Sequence, residues 1–314
     1  MRKDGQQQQK TTFLILLVVI STLIAALPYM PWLAGGIIPK VQAFAGWLLL
    51  VPLGALIPTL LTRKRRTAIA LGLLLVIGLI PQIDMAPAGQ SENTAELRVL
   101  SFNAYLAEAS SNELAALIKE EQPDLLILVE TSESLHQDLT SLGALEGLDF
   151  RTAPAPAGGV RDTVIFSKNP MAEIDSGLSE RDTGWFAMPT VEVEVGQQRV
   201  LVAGVHVYPP LKDAKLWRRG LSAIDTWVQA HPESPMILAG DFNSTRGHRL
   251  YTDAVAGLAE ASGLRPQATW PQGMLPFPVI EIDHIIGQAV TFSQPGATPV
   301  SGSDHLAVHA TAWF

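Results

Sequence analysis

The sequence predicts a chain in two parts: an apolar helical membrane anchor, then an α/β (α+β) domain with mixed sheets and helices outside them. Three observations predict it. The first is charge. The 314 residues carry a net charge of -8, but residues 1–90 hold 8 of the 22 Lys+Arg and only Asp4 and Asp84 of the 30 Asp+Glu. The first ninety residues are therefore +6 and the remainder is -14. The second is three apolar runs before residue 84. The third is an alternation of buried-strand runs and amphipathic helices after residue 96. At 47% hydrophobic and 17% charged residues the chain is too apolar for disorder. Zero cysteine excludes disulfide scaffolds, thiolate metal sites and cysteine nucleophiles.

The three runs span about 12–33, 41–61 and 67–83, and predict three transmembrane helices in an anchor over residues 1–85. A bilayer core takes about 20 apolar residues of helix, with a range near 17–25. None of the runs has Asp, Glu, Lys or Arg in its interior. Pro28, Pro31, Pro52 and Pro58 interrupt them, which membrane helices tolerate. The alternative for the first run is a cleaved signal peptide. The run is long for that, and no small-residue cleavage site precedes polar chain. Arg2, Lys3, Lys10 and the Arg63-Lys64-Arg65-Arg66 loop belong on the cytoplasmic face by the positive-inside rule, whereas the first loop has only Lys40. Three crossings then put the large domain outside the cytoplasm, in the cell membrane as a multi-pass protein. If the third run does not cross, that domain is cytoplasmic.

Residues 86–95 have linker composition, and the second domain is 96–314. Leu97–Phe102 is a buried strand. Asn112 is the expected cap of a helix with Leu114, Leu117 and Ile118 on one face, ended by Pro123. Leu125–Val129 is the next buried strand. Strands follow at Thr163–Ser167, Thr190–Val195 and Arg199–Val207, with a Gly196 turn between the last two. A helix is expected near Lys212–Ala230, a strand at Met236–Ala239 and a helix around Leu250–Ala261. Val279–Ile286 and His305–Phe314 complete the strands.

Polar residues recur where these strands stop. Asn103 ends the first strand and Glu130 the second. His206 lies near the end of Arg199–Val207, and Asp241 and Asn243 follow Met-Ile-Leu-Ala-Gly. Asp283 and His284 lie within a buried run, and Asp304 and His305 precede Leu-Ala-Val. Singly, each suits a turn, a cap or an interior hydrogen bond. Burying charged groups without partners costs several kcal/mol, so six such strand ends point to one shared site.

Five segments give the pattern a likeness. Ser-Phe-Asn at 101–103, Pro-Asp-Leu-Leu-Ile-Leu-Val-Glu at 123–130, Gly-Asp-Phe-Asn at 240–243, Ile-Asp-His at 282–284 and Ser-Asp-His at 303–305 stand in order. Together they resemble the endonuclease/exonuclease/phosphatase (DNase I-like) superfamily, the metal-dependent phosphoesterases. Thr269-Trp270-Pro271 resembles its bacterial branch, here membrane-anchored. The resemblance implies a four-layer α/β/β/α sandwich with the site at one edge of two packed sheets. It also implies a metal-dependent phosphoric ester hydrolase using Mg²⁺, with Mn²⁺ as a substitute.

The roles the resemblance implies agree with what ester hydrolysis needs. Glu130 is the expected metal ligand, with Asn103 and Asp304 beside it; Mg²⁺ takes one or two carboxylates and keeps waters and phosphate oxygens. Asp241 is the expected base for the attacking water. Asn243 donates to phosphoryl oxygens. His305 contacts the scissile phosphate while Asp283 holds its ring and favours its protonated form. His206 resembles the phosphate-contacting histidine. Asn103, Asn243 and Trp270 are expected to contact substrate, Trp270 as a pocket wall.

Other residues have plainer readings. His136, His231 and His248 are expected to be solvated, His309 structural and His284 a packing or supporting residue. Trp185, Trp217, Trp227 and Trp313 are expected in the core or at a rim, and Arg161, Lys168, Arg218 and Arg219 on the solvated surface. Two positions depart from related bacterial sequences. Glu281 and Leu306 stand where a basic residue is common. That weakens any grip on extended polyanions.

Three functions compete. A phosphoesterase acting on a lipid-linked or small phosphate fits the anchor, the orientation and the acidic domain. A nuclease acting on DNA or RNA is the second; nucleic-acid binding rests on several Lys/Arg–phosphate contacts, about 6–10 in strong binders, and suits a -14 domain poorly. A non-catalytic binding protein on the same fold is the third. Nothing in the sequence points to a protein partner.

Overall fold

A computed structural model describes residues 2–33, 35–83, 95–153, 162–174, 177–263 and 266–314. The expected linker at 86–94 and Arg161 lie outside the described residues. The chain forms two compact units, one of residues 1–83 with 246–252 and the other of 84–245 with 253–314.

The first unit is helical. Its elements are α1 (Arg2–Ala26), α2 (Ile38–Ala43), α3 (Ala45–Leu48), α4 (Leu50–Leu61) and α5 (Arg65–Leu79). Two apolar helices are long enough to cross a membrane, Thr11–Tyr29 and Arg65–Gln82. The expected third span is corrected. The 41–61 run is divided at Phe44 and Leu49, and its longest apolar stretch, Ala45–Leu61, has 17 residues. Pro52 is the physical reason for the second division, since it has no N–H to donate to the carbonyl of Leu48. At about 1.5 Å per residue, 17 residues of helix reach ~26 Å, short of a ~30 Å hydrocarbon core. Large apolar side chains on these helices are exposed, among them Phe13, Leu16, Leu23, Ile57, Leu61, Ile69 and Leu73.

The second unit is a sandwich of two mixed sheets. It starts with β1 (Glu96–Asn103), α6 (Ser111–Glu121), β2 (Leu125–Thr131), α7 (Glu133–Ser141), β3 (Phe150–Arg151) and β4 (Asp162–Ser167). Next come β5 (Met171–Glu173), α8 (Glu180–Thr183), β6 (Thr190–Val195), β7 (Gln198–His206), α9 (Ala214–Ala230) and β8 (Met236–Asp241). After α10 (Arg249–Ala254), most of which belongs to the 246–252 segment of the first unit, it ends with β9 (Ala259–Glu260), β10 (Asp283–Gln288), β11 (Thr291–Pro299) and β12 (Leu306–Trp313). One sheet runs β11-β12-β1-β2-β4-β3 and the other β5-β6-β7-β8-β10-β9. β1 and β2 are parallel, as are β7 and β8.

Alternation along the strands sorts the core. Leu97, Val99, Leu125, Ile127 and Ile165 from one sheet meet Val191, Val193, Val200, Val202, Ile237 and Ala239 from the other. The opposite positions Leu100, Phe102, Leu126 and Leu128 pack on Leu114, Leu117, Ile118, Leu135 and Leu139 of α6 and α7. α9 buries Trp217, Leu221, Ile224, Trp227 and Val228, and a Cβ at Gly220 would sit 3.2 Å from Val207, just past the outer row of β7. Deleting one such buried Leu or Ile side chain to Ala costs about 2–5 kcal/mol.

Several boundaries differ from expectation. Ser110, not Asn112, caps α6, accepting from the Glu113 N–H at 3.4 Å. The helix expected over 250–261 is one short turn and a half, since Gly257 takes φ +86 and ends it. β10 starts at Asp283 rather than 279, because the Ile282 and Asp283 N–H groups donate to Thr269 Oγ1.

Candidate active site

The same alternation that fills the core delivers the site. Val99, Val202, Ile237 and Ile285 point between the sheets. Counting by twos, Asn103, His206, Asp241 and Asp283 are inward positions at strand termini. Asp241 is opposite His206 on one side and Asp283 on the other. Four sequence-predicted residues thus meet at one edge of the sandwich, all buried.

Glu130 breaks this count. Strict alternation from Leu128 would turn it toward the α6–α7 face. The β2–β4 register shifts between Leu128 and Thr131, and Glu130 takes φ +50. Its Oε2 accepts the Leu106 N–H at 2.9 Å, and its Oε1 stands 3.5 Å from His206 Nε2. Tyr105, Leu106 and Ala107, all with positive φ, form the turn that presents that N–H. Left-handed conformations at non-glycine residues cost free energy and concentrate at functional sites.

Asp241 is the centre of a donor network. Its Oδ1 accepts the Asn243 N–H at 2.7 Å. Its Oδ2 accepts from Asn243 Nδ2 at 2.9 Å and from Asn103 Nδ2 at 3.1 Å, which ties the two sheets together. Asn243, at φ +47, also donates to the Val207 carbonyl at 2.9 Å. Gly240 is required before it: at φ +145 a Cβ would collide with the Val205 backbone.

His305 completes the cluster. Its Nδ1 lies 2.9 Å from Asp283 Oδ2, and its Nε2 is 3.9 Å from Asp241 Oδ2 and 3.7 Å from Asp304 Oδ1. Burial alone would lower the imidazole, but Asp283, then Asp241 and Asp304, raise it to about 10. These carboxylates favour the charged ring, which donates from Nδ1 to Asp283. Burial raises Asp241 to about 8 against the opposing pull of His305, and Asp283 and Glu130 add to the rise.

Ser303 and Thr269 set the backbone around these groups. Ser303 Oγ donates to the Asn103 carbonyl at 2.7 Å and accepts the His305 N–H at 3.0 Å. Trp270 Nε1 donates to Asp304 Oδ2 at 2.9 Å, so the indole holds the carboxylate. Asp304 Oδ1 is buried and accepts no hydrogen bond among the described residues. Asp241, Asp283 and His305 each offer a donor atom within 4.8 Å of the others. Close carboxylates need a counter-charge, which a hard divalent cation supplies.

Some residues fall elsewhere than expected. His136 and His248 are buried rather than solvated. His136 pairs with Thr131 Oγ1 at 2.8 Å, and burial lowers its pKa. A lone histidine in polar sequence gave no sign of this. Lys168 pairs with Asp124 at 3.0 Å, and Arg219 donates to the α8 carbonyls of Arg181 and Asp182. His309 pairs with Glu121 at 3.1 Å. His284 is fully buried at 3.1 Å from Glu260. The aromatic group beside His206 was not foreseen: Trp185 stacks edge-on against it at 4.6 Å and against Tyr208 at 4.7 Å. Trp185 lies in the irregular chain after α8, where no periodicity marks its direction.

Comparison with known proteins agrees with this geometry. No curated protein matches the chain. Solved structures do. An endonuclease/exonuclease/phosphatase from Beutenbergia cavernae DSM 12333 is 21% identical with a TM-score of 0.52, covering 70% of this chain and 72% of its own. A humanized D. rerio TDP2 is 16% identical with a TM-score of 0.56, over 70% of this chain and 99% of its own. D. rerio TDP2 complexed with a single-strand DNA product is 15% identical with a TM-score of 0.54, over 70% and 99%. These likenesses are of fold. The profile of the Endonuclease/Exonuclease/phosphatase family matches residues 100–305, from within β1 to His305. The chain therefore belongs to the endonuclease/exonuclease/phosphatase family and is a metal-dependent phosphoric ester hydrolase.

Proposed function

We propose that this enzyme is anchored in the cell membrane and hydrolyses a lipid-linked or otherwise apolar phosphate ester. The observation that carries the substrate class is the rim of the site. Residues 270–280 contain no charged side chain. Met274, Leu275 and Phe277 are 71%, 47% and 61% exposed there. Both ends of this loop are tied to the site, through Trp270 and Gln272 to Asp304 and through Thr269 to Asp283. Single exposed apolar residues are ordinary, but a charge-free group of three beside a polar site suits a ligand with an apolar body. Arg98, Arg151, Lys168, Arg199 and Arg219 are each engaged by carboxylates or carbonyls, and residues 91–314 carry a net -14, which suits a polyanion poorly.

In the mechanism, Glu130, Asn103 and Asp304 would hold Mg²⁺, or Mn²⁺ in its place. Such a cation would polarise the phosphoryl group and offset its charge. Asp241 orients water and takes its proton as the oxygen attacks phosphorus. Asn243 Nδ2 turns from Val207 and Asp241 toward the phosphoryl oxygens as charge builds on them. His305, kept cationic by Asp283, and His206 stabilise the same oxygens until the leaving alcohol departs. No covalent intermediate is needed.

We place Arg2, Lys3, Lys10 and Arg63–Arg66 on the cytoplasmic face and the catalytic unit outside. This orientation needs the shorter Ala45–Leu61 stretch to complete a crossing between the two long helices. The cysteine-free chain makes the test clean. Ser91→Cys in intact cells should react with an impermeant maleimide, and Lys64→Cys should not; the reverse pattern puts the domain inside. For substrate, the full-length enzyme should hydrolyse a polyprenyl or phospholipid phosphate at least tenfold faster than it nicks plasmid DNA with Mg²⁺. Preferential nicking would make it a nuclease.

A further inference from the structure

Directly behind Asp283 a second histidine–carboxylate group is buried. Successive residues of β10 face opposite ways, so Asp283 enters the active site while His284 points away from it. There His284 meets Glu260, at the end of β9, and Glu281, just before β10; all three are buried. One donor atom from each lies within 4.8 Å of the other two. Ligands about 2.0–2.2 Å from a common ion are spaced in just this range.

The histidine is oriented as ligands are. His284 Nε2 lies 2.9 Å from the Ser244 carbonyl, to which it donates. That bond fixes the ring and aims Nδ1 at the carboxylates, 3.1 Å from Glu260 Oε1. A ligating histidine almost always spends its other N–H on a carbonyl or carboxylate in this way. Glu281 supplies the third donor, anchored by the Gln267 N–H beside Glu260. Two buried carboxylates converging on one imidazole favour a cation among them.

We infer that Glu260, Glu281 and His284 form a second divalent-metal site, separate from the catalytic one. One imidazole and two carboxylates suit Zn²⁺, with Mn²⁺ less favoured. Binding displaces the Nδ1 proton of His284 to solvent. The ion's role is structural. It ties β9 and the approach to β10 to Ser244, the residue after Asn243.

The test is a metal count. Full-length protein in detergent is stripped with EDTA, then given Zn²⁺ with excess Mg²⁺ to occupy the catalytic site, and desalted. Wild type should retain about one zinc per chain, and Glu281→Gln and Glu281→Arg almost none, with both variants still hydrolysing substrate with Mg²⁺. Zinc should raise the wild-type melting temperature and leave that of Glu281→Arg unchanged. Wild type alone, loaded with Co²⁺, should show the visible absorption of a low-coordinate histidine–carboxylate site, so the inference stands or falls even if a variant does not fold. Retention of no zinc by wild type would mean that protons alone fill the site. Equal retention by Glu281→Gln would place the zinc at Asp241 and His305. Either result overturns the inference.

Discussion

Two clusters of like composition sit back to back in this enzyme. Asp241, Asp283 and His305 form one; Glu260, Glu281 and His284 form the other. Adjacent residues of one strand, Asp283 and His284, belong to different clusters. The difference between them is in their other partners. The first is ringed by amide and backbone donors that hold one carboxylate from two sheets, with Asn103 and Asn243 both on Asp241. In the second, backbone groups anchor the ends, the Ser244 carbonyl on His284 and the Gln267 N–H on Glu281, and the carboxylates face each other and the imidazole. On the proposed readings, one group is arranged around a reacting oxygen and the other around a fixed charge.

The largest effect should divide the clusters. Asp241→Asn or His305→Gln should lower kcat by about 10²–10⁴, with an unchanged circular dichroism spectrum. Glu281→Gln should leave kcat within about threefold, the size of a minor barrier change. An equal loss from Glu281→Gln would show that the two groups act as one unit. Next in size is Glu130→Gln, which should raise the Mg²⁺ concentration for half-maximal activity by about tenfold or more, since hard cations prefer a carboxylate to an amide. EDTA should abolish activity in wild type and variant alike.

Stability separates them in the other direction. His284→Asn should cost about 3–5 kcal/mol in denaturant unfolding, because it leaves two buried carboxylates without their cation. Glu281→Gln should cost far less, since it removes a buried charge instead of leaving one unpaired. The smallest effect belongs to a carboxylate nearer the surface. Asp124 is half-buried, and burial works to raise its pKa. The Arg98 N–H and the Arg98 and Lys168 side chains outweigh this and hold it below the ordinary value. A depressed folded-state pKa stabilises above the unfolded value near 4 and is lost as pH falls through the folded one. Asp124→Asn should therefore cost about 1 kcal/mol at pH 7 and almost nothing below about pH 3, read from urea midpoints across pH.

Most of the active site was legible because a polar side chain closing a buried strand must find a partner, a ligand or water. Asn103, His206, Asp241 and Asp283 each end or begin a buried alternation, and parity alone turns them inward. Glu130 was legible by type but not by direction, since a positive φ and a register shift decide where it points. Trp185, Tyr105, Thr269 and Ser303 lie in irregular chain, whose direction no period encodes. The membrane unit shows the same limit. Apolar length suggested three spans with 67–83 the shortest, yet the prolines and breaks inside 41–61 leave 17 residues in the middle one.

The sequence by itself determined the two-part organisation and the mixed-sheet class, and the likeness of its five motifs to a family pointed to the metal-assisted chemistry. Charge distribution, apolar length and the period of two are local properties that survive without a folded chain. Only the tertiary structure decided that Glu281, a departure noticed for what it fails to grip, turns inward to Glu260 and His284. Residues 260, 281 and 284 meet through a strand pairing, Ile286 against Glu260, whose register no local pattern specifies.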